Sequence, residues 1–340
     1  MFGSKGDRRK ERLDRGIKVR SDGVYAISSW REITYLIAPR LLFILSLALA
    51  PMVLGFAPYW QKVVSIICVY ALLAIGFDFL ANYVGLVSLG GGFYVGVGAY
   101  VSALLNTHYG LPPFLCVPIA MILGAAICTV LFLPCLPLRG VYFAIVSLMY
   151  PLLAARIIEA LDIFGGTDGI LGVDNFSNPW LEQYLLVLSV IVIVFTLRRL
   201  VEEDVGLVFR GVKDNDQAVK ASGINITVYK ALGVFIASSL GCLGGACLTH
   251  MYMWAGLSQF ALDFSIIPIA ATVVGGGGTL VGPVIGCLIL VPVSELLRDF
   301  GSLRIAVYSV ILTAFIVFKS EGIMPYAARK YEQFERWVEI

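Results

Sequence analysis

The sequence predicts an all-α, polytopic membrane protein with about 8–10 transmembrane helices. Hydrophobic residues make up 59% of the 340 residues and charged residues only 14%. The mean hydropathy is +0.87, which is far outside the range of soluble globular domains. The apolar residues also form long continuous runs, and the Lys and Arg residues are concentrated in a few segments between them.

The apolar runs predict the membrane spans directly, because a helix that crosses a bilayer needs about 20 mostly apolar residues. The candidate spans are residues 41–57, 63–81, 86–105, 114–133, 141–158, 181–197, 228–250, 262–276, 279–297 and 302–318. Several are short for a full crossing. Residues 1–40 form a basic segment before a transmembrane domain of residues 41–320, and residues 321–340 form a C-terminal tail.

The positive residues predict the orientation of the chain. Ten of the 25 Lys and Arg residues precede Leu41. The loop that follows Ile158 carries Glu159, Asp162, Asp168 and Asp174 but no Lys or Arg, as expected of an exterior loop. Both termini and the long polar loop 198–230 are therefore expected in the cytoplasm. The basic segment is interpreted as a solvated tail near anionic lipid. No nucleic-acid partner is expected, because neither a recognised fold nor an aromatic residue accompanies the run of charges at residues 5–20.

The sequence contains none of the common catalytic or nucleotide-binding motifs. GxxxxGK[ST], HExxH and GxSxG are all missing. Seven cysteines lie in or beside apolar runs without a CxxC pair, and only two histidines are available as further metal ligands. We therefore expect no enzymatic activity, no catalytic residues, no metal site and no cofactor bound by this chain, and transport is the favoured class.

Two glycine-rich interruptions predict a translocation path. The first contains Ser88, Gly90, Gly91 and Gly92, and the second contains Gly275, Gly276 and Thr279. Spans broken by glycine in both halves of a transporter are typical of a substrate path, whereas close helix packing explains the same residues without one. Both interpretations remain open at this point.

Two ionisable residues within the spans are further candidates for the path. Asp78 lies one helical turn before Asn82, on the same face, and has either a structural or a gating role. Arg156 either contacts an anionic group of the substrate or pairs with Glu159, three residues later.

The polar loop 198–230 predicts a docking helix. Asp214, Asn215 and Asp216 provide capping side chains for a short helix that runs from Asp214 to Ser222 and ends at Gly223. Val212 and Ile224 flank the helix, so that it could bury one side in a groove of a partner. A surface helix without a partner is the alternative, and the acidic run 202–204 is interpreted as a solvated turn.

Four segments, in this order, carry a resemblance to a known family. The first segment is residues 70–76 together with Gly85-Leu-Val-Ser-Leu-Gly and Gly96-x-Gly-Ala-Tyr. The second is residues 142–145 together with Arg156 and Gly-Gly-Thr-Asp-Gly-Ile at 165–170. The third is residues 206–230, and the fourth is residues 275–286 together with Glu295. From about Tyr70 to Ile323, the chain resembles the membrane subunits of branched-chain amino-acid ABC importers, the LivM-type permeases. Permeases for urea and short amides belong to the same family.

The resemblance implies an ABC-importer permease fold in the cytoplasmic (inner) membrane of a bacterium or archaeon. It also implies a second permease subunit in a hetero- or homodimer, two ATP-binding subunits that use ATP and Mg, and an extracytoplasmic solute-binding protein. The residues that couple to the ATPases are expected to be Val212, Lys213, Asp214, Asn215, Asp216, Ala218, Gly223 and Ile224.

Two positions depart from the family's usual pattern. Gly91 stands where the family usually has His, and Asp78 stands where Asn is common. These departures leave open whether the substrate is a branched-chain amino acid or a urea-like amide. A secondary transporter that works without ATPases is the alternative from another class, although it would need more ionisable residues along its path.

Overall fold

The computed structural model describes residues 58–138, 140–176, 178–297 and 322–332, with scattered positions in 41–52 and 310–315. The basic segment 1–40 and Arg139 lie outside the described residues, as do most of the predicted spans 41–57 and 302–318 and the end of the C-terminal tail.

The described chain is mostly helical, with loops between the helices and one pair of very short strands. The helices are α1 (Pro58–Phe79), α2 (Gly91–Tyr109), α3 (Pro113–Phe132), α4 (Val141–Leu161), α5 (Pro179–Glu202), α6 (Asp204–Asp214), α7 (Asp216–Ala221), α8 (Ile226–Tyr252), α9 (Asp263–Gly275), α10 (Gly282–Leu296) and α11 (Ile323–Glu332). A π-helical turn, Leu80–Val84, extends α1, and 3-10 turns follow α3 (Leu133–Cys135) and precede α9 (Leu257–Phe260). Strands β1 (Ile170–Leu171) and β2 (Trp254–Ala255) pair antiparallel, with Ile170 opposite Ala255. The predicted all-α, polytopic class is confirmed.

Within the described residues, six segments are long and apolar enough to cross a membrane. They are Tyr59–Val84, Pro113–Cys135, Val141–Leu161, Trp180–Glu202, Ile226–Tyr252 and Leu257–Gly275. The apolar α10 is shorter, at 15 residues. The chain is therefore a multi-pass membrane protein, and the total of eight to ten crossings stays a prediction.

The centre of the protein is built from α1, α2 and α8. In the most apolar part of the Tyr59–Val84 span, 89% of the residues are buried inside the protein, against 28% in Pro113–Cys135 and in Val141–Leu161. The outward faces of α3 and α4 are strongly apolar, with Val130 63% exposed and Leu153 57% exposed. Such faces suit a lipid environment, where polar side chains would be costly.

Glycines allow α2 and α8 to touch backbone to backbone. A Cβ atom on Gly98 would lie 2.3 Å from the Cys242 carbonyl oxygen, and one on Gly245 would lie 2.1 Å from the Val95 carbonyl oxygen. No side chain larger than hydrogen fits at either position without moving a helix. Small residues at such crossings are how membrane helices gain van der Waals contact.

Three local predictions were wrong in their boundaries. The predicted span 86–105 begins too early: Gly85 ends the π-helical turn with φ = +81°, and the helix starts only at Gly91. The single predicted helix from Asp214 to Ser222 is in fact the end of α6 and the whole of α7, because Asn215 is extended between them. The acidic run 202–204 is not simply a turn, since Glu202 ends α5 and Asp204 begins α6.

Candidate functional site

The candidate residues fall at two ends of the helical bundle. At one end, five elements come together: the π-helical turn Leu80–Val84, helices α6 and α7, the first two turns of α8, and residues 276–281 between α9 and α10. We call Leu80–Val84 the π turn and residues 276–281 the glycine loop. At the opposite end, the loop 162–178 packs on the ends of α2 and α8. The split agrees with the predicted alternation of loops across the membrane.

Helix α6 is fastened to the end of α1. The Phe209 ring is fully buried and meets the Phe79 ring edge-on, with 5.4 Å between centroids. The Arg210 guanidinium lies 5.8 Å from the centre of the Tyr83 ring. The Lys213 Nζ atom donates a 2.9 Å hydrogen bond to the Asn82 carbonyl oxygen. Three successive contacts therefore hold α6 against the π turn and the residue before it.

Val212 does not flank a docking surface as the sequence suggested. Its side chain is 2% exposed and turns into the protein with Phe209. The spacing of Val205, Phe209 and Val212 follows one face of an amphipathic helix, and that face is covered by the protein itself. Lys213 and Asp214 are exposed, and Ile224 is half-buried.

Helix α7 is fixed at both ends and open along its length. The Asn215 Oδ1 atom accepts hydrogen bonds from the backbone N–H groups of Gln217 (3.0 Å) and Ala218 (3.2 Å), so the predicted cap is provided by Asn215. Gly223, at φ = +83°, donates its N–H to the Lys220 carbonyl oxygen and ends the helix as predicted. No residue of α7 is buried.

An ion pair ties α7 to α8. The Lys230 Nζ atom lies 2.8 Å from the Asp216 Oδ2 atom, and the two side chains are 8% and 13% exposed. The Asn225 side chain accepts from the Thr227 N–H and caps the start of α8. The direction of the exposed α7 helix is thus set by its ion pair with α8.

Asp78 holds the glycine loop. Its carboxylate is fully buried, and its Oδ1 atom accepts from the Gly278 N–H (2.6 Å) and from the Asn82 side-chain amide (2.7 Å). Its Oδ2 atom accepts from the Leu280 N–H at 3.0 Å. The Tyr83 hydroxyl donates to the Gly278 carbonyl oxygen at 2.7 Å. The structure therefore gives Asp78 a defined structural partner, the backbone of the glycine loop.

The glycine residues of the second interruption shape this loop. Gly276 and Gly278 have positive φ angles of +104° and +79°. A Cβ atom on Gly275 would lie 1.8 Å from the Gly282 carbonyl oxygen, so α9 and α10 meet without side chains between them. The Thr279 hydroxyl donates to the Gly276 carbonyl oxygen and accepts from the Gly282 N–H, each at 2.9 Å.

A small cavity lies beside the first interruption, among α1, α2, α8 and α9. It is lined by Ser88, Gly91 and Tyr94, by Ser265 and by apolar residues such as Leu73 and Phe264. The Ser88 Oγ atom is 3.1 Å from the Tyr94 hydroxyl. Of the path residues proposed from sequence, Ser88 and Gly91 border this cavity, whereas Asp78, Gly275, Gly276 and Thr279 belong to the glycine loop.

Gly91 and Gly92 bring the start of α2 against the start of α9 and the residues just before it. A Cβ atom on Gly91 would lie 2.4 Å from the Phe264 carbonyl oxygen. The Gly92 N–H donates to the Ser265 Oγ atom at 3.0 Å, and the Gly90 N–H donates to the Ser88 Oγ atom at 3.3 Å. The close approach of α9 explains why a side chain as large as His has no room at position 91.

Arg156 forms the ion pair that the sequence offered as one of its two roles. Its Nη1 atom lies 2.7 Å from the Glu159 Oε2 atom, and its side chain is 81% exposed. It does not line the cavity beside Gly91.

A polar network at the opposite end was missed in the sequence. His250 is fully buried, and its Nδ1 atom lies 2.7 Å from the Asp174 carbonyl oxygen while its Nε2 atom lies 2.9 Å from the Ser102 Oγ atom. Asn106 exchanges two hydrogen bonds with Asp174. These residues are up to 148 positions apart, and no local pattern marks them as neighbours.

The chain matches known proteins along most of its length. The family described as "Branched-chain amino acid transport system / permease component" matches residues 59–319. The chain is 26% identical to the high-affinity branched-chain amino acid transport system permease protein LivM of Salmonella typhimurium, over 76% of the chain and 68% of that relative. It is 24% identical to the probable branched-chain amino acid transport permease protein LivM of Methanocaldococcus jannaschii (70% and 77% covered). It is 25% identical to the probable permease protein LivH of the same organism (75% and 86% covered). No solved structure matches the chain.

Proposed function

Because the chain belongs to the family of branched-chain amino acid transport system permease components, we propose that it is the membrane-spanning permease subunit of an ATP-binding-cassette importer. The importer moves branched-chain or related amino acids across the cytoplasmic membrane. It contains a second permease subunit, two ATP-binding subunits and an extracytoplasmic solute-binding protein. ATP and Mg are bound by the ATP-binding subunits, and this chain is not itself an enzyme.

The observation that carries the proposal is the state of α7. A six-residue helix is too short to be stable alone in water. Here it is held by the Asn215 cap, by Gly223 and by the Asp216–Lys230 ion pair. The Asp216 side chain is 13% exposed, whereas Gln217, Ala218, Lys220 and Ala221 are exposed. A fixed and uncovered helix is suited to insertion into the groove of a partner, and an ATP-binding subunit is the partner that an importer requires.

The arrangement of the centre supports transport through moving helices. The cavity beside Gly91 is bordered by four different helices, α1, α2, α8 and α9. It is small in this conformation, so we propose that the substrate passes when these helices separate. Ser88 and Tyr94 then offer hydroxyl groups, and Leu73 and Phe264 offer an apolar wall, which suits a small solute with an aliphatic side chain.

The proposed orientation places α6, α7, the glycine loop and both termini in the cytoplasm. Direct contacts join the five elements at the α7 end, which therefore lie on one side. The acidic loop 162–178 lies at the other end and faces the solute-binding protein in this arrangement.

The proposal is tested by blocking the exposed face of α7. Ala218 is exposed and its side chain holds no part of the fold, so Ala218→Arg adds bulk and charge only at the docking surface. Ala327→Arg, at an exposed position of α11, is the matched control. In vesicles that contain all subunits, we expect Ala218→Arg to abolish ATP-dependent leucine uptake and co-purification of the ATP-binding subunit, while Ala327→Arg retains both. Unchanged uptake in Ala218→Arg would indicate a transporter that works without ATPases.

A further inference from the structure

The π turn Leu80–Val84 contacts two other parts of the protein, α6 and the glycine loop. On one side, α6 contacts the end of α1 through Phe209, Arg210 and Lys213. On the other side, the glycine loop receives hydrogen bonds from Tyr83 and gives two to Asp78. The glycine loop in turn joins α9 to α10.

A continuous chain of hydrogen bonds crosses this connection. The Lys213 ammonium donates to the Asn82 carbonyl oxygen (2.9 Å), and the Asn82 side-chain amide donates to Asp78 Oδ1 (2.7 Å). Asp78 then accepts from the N–H groups of Gly278 (2.6 Å) and Leu280 (3.0 Å). Every atom in this chain belongs to α6, to α1 with its π turn, or to the glycine loop.

We propose that Asp78 is a positioning residue that couples α6 to the glycine loop, so that displacement of α6 by the docked ATP-binding subunit moves α9 and α10. This inference rests on the proposed function, because it needs a partner that displaces α6. In addition to stabilising the glycine loop, Asp78 would transmit the movement of α6 to α9 and α10.

The carboxylate of Asp78 is suited to this role because its two oxygens meet three N–H donors. An ionised carboxylate only accepts hydrogen bonds, whereas an asparagine would turn an NH₂ group toward a backbone N–H. One of those donors belongs to Leu280, which has a φ of +59° although it is not glycine. A strained residue of this kind persists only where its surroundings hold it, and the Asp78 Oδ2 atom holds its N–H.

The π-helical geometry makes the connection possible at Asn82. Hydrogen bonding between residues i and i+5 occurs mostly in isolated turns at functional sites. The Asn82 side chain donates to Asp78, and the Asn82 backbone carbonyl accepts from Lys213. A single residue therefore links α6 to the Asp78 carboxylate.

The test is a double-mutant cycle in the complete transporter, with Asp78→Asn, Lys213→Met and the two combined. Lys213 and Asp78 form no hydrogen bond with each other, although the Lys213 charge acts on the Asp78 carboxylate through space. Apart from that attraction, independent roles would give additive effects on uptake. If they act in one chain, we expect each single variant to reduce leucine uptake per ATP hydrolysed about tenfold, and the double variant to be no worse. Asp263→Asn, an exposed carboxylate at the start of α9, is the matched control and retains coupling.

The outcomes separate this inference from the proposed function. Additive losses in the double variant, or normal coupling in Asp78→Asn, overturn the inference. A parental complex without any ATP-driven uptake overturns the proposed function instead.

Hydrogen exchange keeps the inference testable if Asp78→Asn does not fold. Lys213 is at the exposed end of the chain of bonds, so Lys213→Met is expected to fold. In the subunit itself, we expect Lys213→Met to speed amide exchange across residues 276–281 several-fold, whereas Lys220→Met, on α7, leaves it unchanged. Unchanged exchange at residues 276–281 in Lys213→Met would overturn the inference.

Discussion

The Asp216 carboxylate and the Lys230 ammonium group form an ion pair of 2.8 Å that joins two helices across 14 residues of sequence. Asp216 begins the exposed helix α7, and Lys230 lies in the second turn of α8, which runs through the centre of the protein. Both side chains are at least 87% buried. The direction of α7 is therefore fixed relative to the core of the bundle.

Removal of either partner of this pair is predicted to impair transport. Lys230→Met leaves the Asp216 carboxylate buried without its counter-ion, which costs about 3 kcal/mol in comparable sites. We expect α7 to detach from α8 and ATP-dependent uptake to fall at least tenfold, while insertion of the protein into the membrane is unaffected. Uptake in vesicles and the yield of membrane-extracted protein measure the two effects.

The reversed pair provides the control for this prediction. Asp216→Lys combined with Lys230→Asp restores opposite charges across the same contact, and we expect it to recover part of the uptake. If Lys230→Met alone supports normal uptake, the ion pair does not position α7.

Gly223 is predicted to be required because of its backbone conformation, and not because a larger side chain would clash with its neighbours. Its φ is +83°, and no atom lies within 4 Å of the position of a Cβ atom. A β-branched residue at such an angle costs on the order of 2 kcal/mol, whereas Asn tolerates it well. We therefore expect uptake to decrease in the order Gly, Asn, Ala and Val at this position. Equal uptake by Gly223→Asn and Gly223→Val would contradict this explanation.

The sequence predicted the class of the fold and a short capped helix in the polar loop because both depend on local patterns. A continuous apolar run predicts a membrane span regardless of which helices pack against it. Asn at the start of a helix and Gly just after its end favour helix initiation and termination in any protein, as Asn215 and Gly223 do here. Val212 shows where local patterns fail. Its apolar side chain was interpreted as a flank for a partner, but it packs inside the chain because α6 folds back on α1. That contact joins residues more than a hundred positions apart.

Gly245 is predicted to be essential for the packing of α8 against α2. A Cβ atom there would lie 2.1 Å from the Val95 carbonyl oxygen, and the backbone has no room to yield. We expect Gly245→Ala to destabilise the folded protein by about 3 kcal/mol, at the upper end for overpacked cores. Ala126→Val, on the exposed face of α3, is the matched control and retains stability. Unfolding in mixed detergent micelles measures both.

His250 is predicted to hold the end of the bundle opposite α7. His250→Leu leaves the buried Ser102 hydroxyl without its His250 partner, at about 1–3 kcal/mol, and removes the hydrogen bond to the Asp174 carbonyl oxygen. His250→Gln keeps a donor and an acceptor and is expected to lose less. His108→Leu, at the exposed second histidine, is the control and leaves the free energy of unfolding unchanged. Equal stability of His250→Leu and His108→Leu would contradict a structural role.

The candidate path could be predicted only in part, for a physical reason. The two glycine-rich interruptions stood out in the sequence, and both are places where helices touch without side chains. What sequence could not supply is which residues face each other. From the sequence alone, Asp78 could be either a gating residue or a buried hydrogen-bond acceptor. The structure shows that its carboxylate accepts from the N–H groups of residues 278 and 280, which are 200 and 202 positions away.

The central claim is that α7 docks on an ATP-binding subunit, and cross-linking from α7 tests it most directly. All seven native cysteines are buried, so a photoreactive maleimide attached at Gln217→Cys labels an exposed position selectively. In the assembled transporter, illumination is predicted to join this position to the ATP-binding subunit, whereas the same probe at Ala327→Cys gives little or no such product. No cross-link from position 217, or equal cross-linking from both positions, would contradict the claim.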